Sequence, residues 1–277
     1  MTTIPTQTFH DGHAIPAFGL GIWQVSRDDC PRVVREAIEM GYRMIDGAAM
    51  YDNETEMGQG IRDSGIPRTD LFLTSKVWND RMDHDAVRRS VDDSLERIGV
   101  DQLDLMLLHW PFPAQDTYVA AWKALIAAQE DGQVRSIGVS NFQKDHLDRV
   151  IAETGVRPVL NQIEVNPKLQ QAQLAQVNDS RDIVTQSWSP LGNARSFDAD
   201  PITKIAERTG KTPAQVILRW HLDIGNAVIS RSTKTDHLRA NMDIFDFNLT
   251  DDDLTAIATL DTGERTGPDP EQFNGLG

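Results

Sequence analysis

Short apolar runs alternate with longer amphipathic segments along almost the whole chain. Eight of these runs have the length and residue types of β-strands, at 18–23, 43–46, 71–77, 103–109, 136–140, 159–164, 183–188 and 227–231. Between them, apolar residues recur every three to four positions and predict helices, among them 30–40, 86–97, 118–130, 144–153, 171–178 and 202–208. This alternation is typical of repeated βα units around a parallel sheet.

Eight strands separated by helices within 277 residues favour a closed (β/α)8 barrel, a TIM barrel, formed as a single domain over 1–277. An open doubly wound sheet is the alternative. Residues 7–17 indicate a hairpin around Asp11-Gly12 that would plug the N-terminal end of the barrel. Two additional helices are predicted, at 212–223 before the last strand and at 251–259 after it. Gly and Pro are frequent in 263–277, which is expected to be a short, loosely held C-terminal tail.

The composition bears on the cellular compartment and on the class of binding partner. The 42 acidic and 27 basic residues give a formal net charge of −15, which argues against nucleic acid or an anionic membrane as the main partner. The single cysteine, Cys30, cannot form an internal disulfide. No stretch approaches the ~18 apolar residues of a membrane span, and the N-terminus has no basic start and no continuous apolar stretch. We therefore expect a cytoplasmic protein with no membrane partner.

Polar side chains stand at the ends of the predicted strands. Asp46, Lys76 and His109 each end an apolar run, and Tyr51 lies five positions after Asp46. The later strand ends carry Ser140 with Asn141, Gln162, Trp188 and Arg231. Parallel strands present their C-terminal ends on one side of a barrel. Because buried Asp, Lys and Gln side chains are costly unless they are paired, we expect these residues to converge on one pocket.

The first four of these residues can carry out proton transfer. A lysine held beside an aspartate stays protonated, and the charge of Lys76 is expected to lower the pKa of the Tyr51 phenol towards working pH. Tyr51 would then act as a general acid, while His109 orients a carbonyl oxygen through a hydrogen bond. The set lacks a reductant, and no G-x-G-x-x-G loop follows a strand, which counts against a Rossmann cofactor site. No metal site is expected.

Three tryptophans adjoin these strand ends. Trp23 ends the first predicted strand, Trp78 comes two residues after Lys76, and Trp110 directly follows His109. We expect them to line the mouth of the site and bind the substrate with apolar walls. Such walls suit aldehydes and ketones with flat or apolar bodies. The pattern leaves sugar-derived keto acids, methylglyoxal-like small aldehydes and xenobiotic ketones open.

The motifs carry a family resemblance over nearly the whole chain. The motifs are FGLGIWQV, GYRMIDGAAMYDNETEMG, LTSKVWN, LDLMLLHWP, RSIGVSNF, NQIEVNP, SWSPLG and FDFNLTDDDL. Together they resemble the aldo-keto reductase family, most closely the bacterial branch with enzymes such as 2,5-diketo-D-gluconic acid reductase. The resemblance implies a (β/α)8 barrel that reduces carbonyls with a nicotinamide cofactor. It places the catalytic tetrad on Asp46, Tyr51, Lys76 and His109.

The same resemblance implies the cofactor site. Ser140, Asn141 and Gln162 would hold the carboxamide, and Trp188 would stack on the nicotinamide ring. The phosphates would be held by two loops, which contain Ser189, Leu191 and Gly192 in the first, and Arg231, Ser232 and Thr233 running on to Asn241 in the second.

One departure from the family pattern concerns cofactor choice. NADP-using members have Lys-Ser followed five residues later by an Arg, whereas this chain has Arg231-Ser232 followed by His237. The Glu usual before Asn241 is Ala240. An imidazole lacks the permanent charge and forked donors of a guanidinium. We therefore expect NADPH as cofactor with reduced selectivity against NADH.

Two other functions remain open at this point. Lys76 could form a Schiff base in an aldolase built on the same barrel. The barrel could also be a non-enzymatic module that senses nicotinamide and regulates a partner. The expected ligand is otherwise a small-molecule carbonyl compound, and the family resemblance and acidic charge favour a monomer.

Overall fold

The structure is a computed structural model and describes residues 4–273 and residue 275. Within these residues the strands are β1 (Thr6–Thr8), β2 (Ala14–Pro16), β3 (Phe18–Gly21), β4 (Met44–Asp46), β5 (Phe72–Val77), β6 (Leu103–Leu108), β7 (Val134–Ser140), β8 (Leu160–Glu164), β9 (Val184–Trp188) and β10 (Ala227–Ser230). The α-helices are α1 (Cys30–Glu39), α2 (Glu54–Asp63), α3 (His84–Ile98), α4 (Tyr118–Glu130), α5 (Lys144–Thr154), α6 (Ala172–Asp179), α7 (Asp200–Thr209), α8 (Pro213–Asp223), α9 (Thr235–Met242) and α10 (Asp251–Ala258). None of these helices is long and apolar enough to cross a bilayer.

Strands β3 to β10 form a closed barrel. Each pairs in parallel with the next along the chain, and β10 closes the ring on β3 with Val228 opposite Phe18. The predicted barrel is therefore confirmed, and the open doubly wound sheet is wrong. Every predicted strand begins and ends within two residues of an observed one.

The N-terminal hairpin covers one end of this barrel. Strands β1 and β2 pair antiparallel with Gln7 opposite Ile15. Phe9 and Ile15 are buried in one cluster with Met44 and Phe72, which are the first residues of β4 and β5. The hairpin thus closes the N-terminal end of the barrel, as the sequence predicts.

Helices α7 and α8 both connect β9 to β10, and their roles differ from the prediction. Helix α8 begins with a capping box in which Thr212 N donates to Gln215 Oε1 at 2.9 Å and Gln215 N donates back to Thr212 Oγ1 at 3.3 Å. It packs against β10, whereas α7 packs against α8 and α10. The additional helix in this connection is therefore α7, and 212–223 supplies the barrel helix. Apolar spacing did not single out α2 and α9.

Alternate side chains along each strand point into the barrel, where they form its core and, at the C-terminal end, the polar site. Met44 and Leu107 point inward, and glycines on the adjacent strands leave room for them. A Cβ on Gly19 would lie 2.5 Å from Met44 Cε, and one on Gly138 would lie 2.7 Å from Leu107 Cδ2. Because strand side chains repeat every two residues, residues two positions further along point into the same interior. These positions include Asp46, Lys76, His109, Ser140, Gln162 and Trp188.

The C-terminal segment is fastened across this end. Thr266 N and Oγ1 each donate to Glu164 Oε1 at 2.6 Å, and Gly267 N donates to Glu164 Oε2 at 3.1 Å. Phe273 packs on Trp110 with ring centroids 4.4 Å apart. The expectation of a loosely held tail is therefore wrong for 266–273. Residues 274, 276 and 277 of that predicted tail lie outside the described residues.

A buried carboxylate joins α2, β5 and α3. Glu54, 1% exposed, accepts hydrogen bonds from Ser75 Oγ, from Ser94 Oγ at 3.3 Å and from Arg97 Nε at 2.7 Å. Ser75 directly precedes Lys76, so this network fixes the strand that carries the lysine. A carboxylate buried this deeply is stable only when its acceptor sites are filled.

Replacing Arg97 with methionine should remove the one guanidinium that pairs with Glu54 among the described residues. Because Arg97 is 37% exposed and water replaces part of the lost contact, we expect the free energy of unfolding to fall by about 2 kcal/mol. Urea unfolding at constant m-value measures the change. Arg35→Met, which breaks the exposed Arg35–Glu39 pair, is the matched control and should cost less than about 0.5 kcal/mol. Equal losses of unfolding free energy in the two variants would show that the buried pair stabilises the fold no more than the exposed pair does.

Candidate active site

Lys76 stands at the centre of the site. Its side chain is fully buried, and Nζ donates a short hydrogen bond to Asp46 Oδ1 and one of 2.9 Å to the Gly47 carbonyl oxygen. The Tyr51 hydroxyl lies 3.4 Å from the same Nζ. The three donor positions of the ammonium are thus all directed at oxygen atoms, which compensates for the loss of its hydration.

A short 3-10 turn, Ala49–Tyr51, returns Tyr51 to the lysine. The turn ends at Asp52 in the left-handed conformation, with φ of 54°. Asn53 fixes the next step, because its Nδ2 donates to the carbonyl oxygens of Ile22 and Val25, each at 3.0 Å. The end of β4 and the turn that follows it therefore place both Asp46 and Tyr51 within hydrogen-bond distance of Lys76 Nζ.

His109 follows β6 and lies beside Tyr51. The two rings meet edge to face with centroids 5.7 Å apart, and the Trp78 ring lies 5.0 Å from His109 on another side. Asn141 Nδ2 donates to the His109 carbonyl oxygen at 3.0 Å and so fixes its backbone. Burial, helped by the nearby Lys76 charge, holds the pKa of His109 well below its ordinary value. The imidazole is therefore neutral at physiological pH.

The pKa of Tyr51 corrects the sequence expectation. Desolvation of the partly buried phenol raises its pKa above the ordinary value of 10.0, although the Lys76 charge acts in the opposite direction. Burial is the largest single effect on Lys76 and lowers its pKa, but the Asp46 carboxylate and the Tyr51 hydroxyl together outweigh it, so the ammonium pKa is raised. Lys76 was thus correctly expected to stay protonated, whereas the predicted lowering of the Tyr51 pKa is wrong because the desolvation of a phenolate is the larger effect.

A second row of polar residues connects to these four. Gln162 on β8 reaches across the barrel and donates to Asp46 Oδ2 at 2.8 Å and to Gln186 Oε1 at 2.7 Å. Ser140 Oγ donates to the Gln162 carbonyl oxygen at 2.8 Å. Trp188 Nε1 donates to Asn141 Oδ1 at 2.8 Å and fixes the plane of the indole. Together with Lys76 and His109, residues from six strands or their ends therefore share one hydrogen-bond network.

A cavity of about 770 Å³ opens at the C-terminal end of the barrel above this network. The predicted residues that line it are Asp46, Tyr51, His109, Ser140, Asn141, Gln162, Trp188, Ser189, Leu191, Gly192, Arg231, Trp23, Trp78 and Trp110. Lys76 is covered by Tyr51 and Asp46 and does not reach its surface. The sequence thus led to one cavity rather than to scattered polar positions.

Four residues predicted for the cofactor are outside this lining. Ser232 and Thr233 follow Arg231 directly, and His237 is exposed on the first turn of α9. Asn241 is buried, where its Nδ2 donates to Ser230 Oγ at 3.0 Å. Ser232, Thr233 and His237 therefore lie at the outer edge of the site, whereas the buried Asn241 supports the end of β10 behind it.

Helix α1 contacts the segment that contains Thr233 and Thr235, which the sequence did not suggest. Arg32 Nη2 donates to the Thr233 carbonyl oxygen at 3.3 Å, and Thr235 Oγ1 donates to Glu36 Oε2 at 2.8 Å. These contacts join positions about two hundred residues apart in the chain. No local pattern could have indicated them.

Several residues that line the cavity were not indicated by the sequence pattern. Met50, Gln24, Pro268 and Phe273 all line the cavity. A signal existed for Phe273, since it is an aromatic residue in a segment otherwise rich in Gly and Pro. Gln24 has φ of 57°, a conformation that the sequence does not reveal for a glutamine.

Comparison with known proteins assigns the family. The model of the Aldo/keto reductase family matches residues 16–262. An aldo-keto reductase of Mycolicibacterium smegmatis is 49% identical over 274 residues, which are 99% of this chain and 99% of that protein. The Escherichia coli protein named methylglyoxal reductase DkgA is 48% identical over 267 residues, 96% of each chain.

Solved structures agree with the sequence relatives. The apo form of Gox0644 has a TM-score of 0.94 and 44% identity, with 97% of this chain and 98% of that chain covered. A point mutant of Gox0644 in complex with NADPH has a TM-score of 0.94 and 43% identity, with 98% and 99% covered. The resemblance found in the sequence motifs is confirmed. This chain belongs to the aldo/keto reductase family.

Proposed function

We propose that this enzyme reduces aldehydes and ketones to alcohols with NADPH, and that Tyr51 donates the proton. The observation that carries the proposal is the Tyr51 hydroxyl 3.4 Å from the buried Lys76 ammonium, at the base of the cavity and beside neutral His109. The family membership and its reductase relatives support the reaction class.

The residues around Trp188 fit a nicotinamide. The indole is fixed by Asn141 and lines the cavity, so its face can stack on a flat ring. The Gln162 amide uses its nitrogen on Asp46 and Gln186, while within the described residues nothing donates to its Oε1. That oxygen can accept from a carboxamide, with Ser140 beside it. NADPH bound to the related Gox0644 supports the same cofactor here. When bound, the reduced nicotinamide supplies the hydride for the carbonyl carbon.

The proton comes from the chain's own residues. His109 is neutral and offers an N–H that can orient the carbonyl oxygen towards Tyr51. Tyr51 transfers its phenolic proton to that oxygen as negative charge develops there. The Lys76 ammonium then stabilises the phenolate, because it lies within hydrogen-bond distance and stays protonated against Asp46.

The same geometry removes the basis of the Schiff-base aldolase. A lysine must be unprotonated to attack a carbonyl carbon, whereas Asp46 raises the pKa of Lys76 against the effect of burial, and Lys76 does not line the cavity. No observation supports the non-enzymatic sensing module, since Asp46, Tyr51, Lys76 and His109 are all present and in contact.

The residues that would contact the 2′-phosphate of the cofactor are Arg231, Lys234 and His237, and because His237 replaces the Arg of the family pattern, we call them the weakened clamp. Arg231 lines the cavity and Lys234 is exposed nearby, and neither forms an ion pair within the described ranges. They provide cations for a 2′-phosphate, but His237 stands where a forked guanidinium would complete the contact. We therefore propose that NADPH is preferred and that NADH is also accepted.

We also propose that the enzyme acts as a monomer in the cytoplasm. The strong acidic charge disfavours self-association. Cys30 is a buried free thiol, as suits a reducing compartment.

Tyr51→Phe removes the proton donor and keeps the ring. We expect kcat/KM for carbonyl reduction to fall by about a thousandfold or more, because the alkoxide loses its acid. NADPH affinity, measured by quenching of tryptophan fluorescence, should stay within about twofold of the original value. Thermal unfolding checks that the fold is intact. Turnover near that of the unmodified enzyme would refute Tyr51 as the acid.

The pH profile of reduction should follow Tyr51 alone. Tyr51 must be protonated and its pKa is raised above 10.0, so activity is lost only as pH rises through that higher value. His109 stays neutral because its pKa lies well below 6.5. We expect kcat/KM to be flat from about pH 6 to about pH 10 and to fall only above that range. A titration near pH 6.5 in a profile with a non-ionising substrate would contradict a neutral His109.

Cofactor preference tests the weakened clamp. We expect the ratio of kcat/KM for NADPH over NADH to lie below roughly a thousandfold, and His237→Arg to raise it by about tenfold. His237→Gln, which keeps a neutral donor, is the matched control and should leave the ratio unchanged. A ratio of roughly a thousandfold or more in the unmodified enzyme would show that Lys234 or Arg239 already completes the clamp.

A further inference from the structure

The part of the cavity above the proton donor is walled by apolar side chains. We call Trp23, Met50, Trp78, Trp110, Pro268 and Phe273 the apolar wall. Phe273 packs between two of the tryptophans, with its ring centroid 4.4 Å from that of Trp110 and 6.3 Å from that of Trp78. Trp23 and Met50 form the outer rim and are 47% and 46% exposed.

No cation belongs to the apolar wall within the described residues. The ionisable groups that line the cavity are Asp46, Tyr51, His109 and Arg231. Asp46 is occupied by Lys76 and Gln162, and His109 is neutral. Arg231 follows β10 in the segment proposed for the cofactor phosphate. The sequence of 274–277, Asn-Gly-Leu-Gly, adds no basic side chain.

Charged residues of both signs adjoin the cavity lining. Arg195 and Arg265 are the chain neighbours of the lining residues Ala194 and Thr266, and neither belongs to the apolar wall. Glu164 lies behind Trp188 and holds Thr266 and Gly267 with its carboxylate. Asp52, next to Tyr51, is 86% exposed at the rim. Arg27 is the cation beside it, and it pairs with Asp52 at 3.7 Å and with Glu56 at 2.8 Å. With a formal net charge of −15, the molecule also repels anions at long range.

We propose that the enzyme selects uncharged carbonyl compounds and discriminates against 2-oxo acids, because a carboxylate that accompanies the reacting carbonyl would enter the apolar wall without a cationic partner. The proposal rests on the proposed reductase function and names its substrate class. The reaction is unchanged: the carbonyl carbon takes a hydride from NADPH, which is oxidised to NADP⁺, and the carbonyl oxygen takes the proton of Tyr51.

The physical cost falls on the acid alone. In a 2-oxo acid the carboxylate is bonded directly to the reacting carbon, so it cannot stay in the solvent while that carbon is reduced. The neutral indole N–H groups of Trp78 and Trp110 can serve an ester or amide oxygen but compensate a desolvated carboxylate poorly. Lys76 does not change this, because it is covered by Tyr51 and its charge is balanced by Asp46.

A matched substrate series tests the discrimination. The probes are phenylglyoxylate, its primary amide and its methyl ester, which share one reacting ketone and differ in charge and in electron withdrawal. With saturating NADPH at neutral pH, we expect kcat/KM for the amide and the ester to exceed that for the acid by about a hundredfold or more. An acid within about threefold of the amide would overturn the proposal.

Charge variants test the cause. Met50→Arg places a cation on the exposed rim of the apolar wall and should raise the acid-to-amide ratio of kcat/KM by about tenfold. Met50→Gln changes polarity without charge, and its ratio should stay within about threefold of the original, whatever its absolute rates. Ile224→Arg adds the same charge to an exposed residue that follows α8, near the opposite end of the barrel, and should leave the ratio unchanged.

The outcomes separate the two proposals. If NADPH binds but none of the three probes nor simple aldehydes is reduced, the reductase function itself fails. If the amide and acid are reduced equally, only the selection against anions fails. If the acid is rejected but Met50→Arg gives no gain, or Ile224→Arg gives the same gain, the rejection is not due to the local charge of the wall and the proposal is overturned.

Discussion

The buried ion pair between Lys76 and Asp46 is the constraint on which the rest of the structure depends. A lysine with no exposed surface is stable only where its charge is matched and its donors are filled. Adjacent strands β4 and β5 supply the pair, the loop after β4 supplies the Gly47 carbonyl and the Tyr51 hydroxyl, and Gln162 holds the second oxygen of Asp46 from across the barrel. The closed barrel is therefore a requirement of the site, because an open sheet would not bring β8 opposite β4.

Through Asp46, this ion pair also connects the residues proposed for proton transfer with those proposed to bind the nicotinamide. From Asp46 the network runs through Gln162 to Ser140, and Asn141 next to it is bonded to both the His109 carbonyl and the Trp188 indole. The residues proposed for proton transfer and those proposed for the nicotinamide thus share hydrogen bonds. These shared hydrogen bonds hold the two sets of residues in one fixed arrangement, which a concerted transfer of hydride and proton requires.

The outer cavity follows a different principle. The inner site is polar and joined by hydrogen bonds, whereas the apolar wall has few donors and is completed by a C-terminal segment that Glu164 fastens in place. Gly267 lies so close to Trp188 that a Cβ there would be 2.5 Å from the indole. The same segment therefore packs on the proposed nicotinamide platform and, through Phe273, on the substrate side. The proposed selectivity for uncharged substrates follows from this division, because the ionisable side chains that line the cavity among the described residues lie at the reacting carbonyl and at the proposed phosphate site.

The sequence by itself determined the strands to within two residues, the parallel barrel, the hairpin and the set of polar residues at the strand ends. It did so because strand periodicity and the shared C-terminal edge of parallel strands are local or topological rules. Tertiary structure alone decided three matters. Burial, which depends on every neighbour, reversed the expected direction of the Tyr51 pKa. Packing on β10 made α8 rather than α7 the barrel helix. Glu164, about a hundred residues distant in the chain from Thr266, turned an expected loose tail into a wall of the cavity.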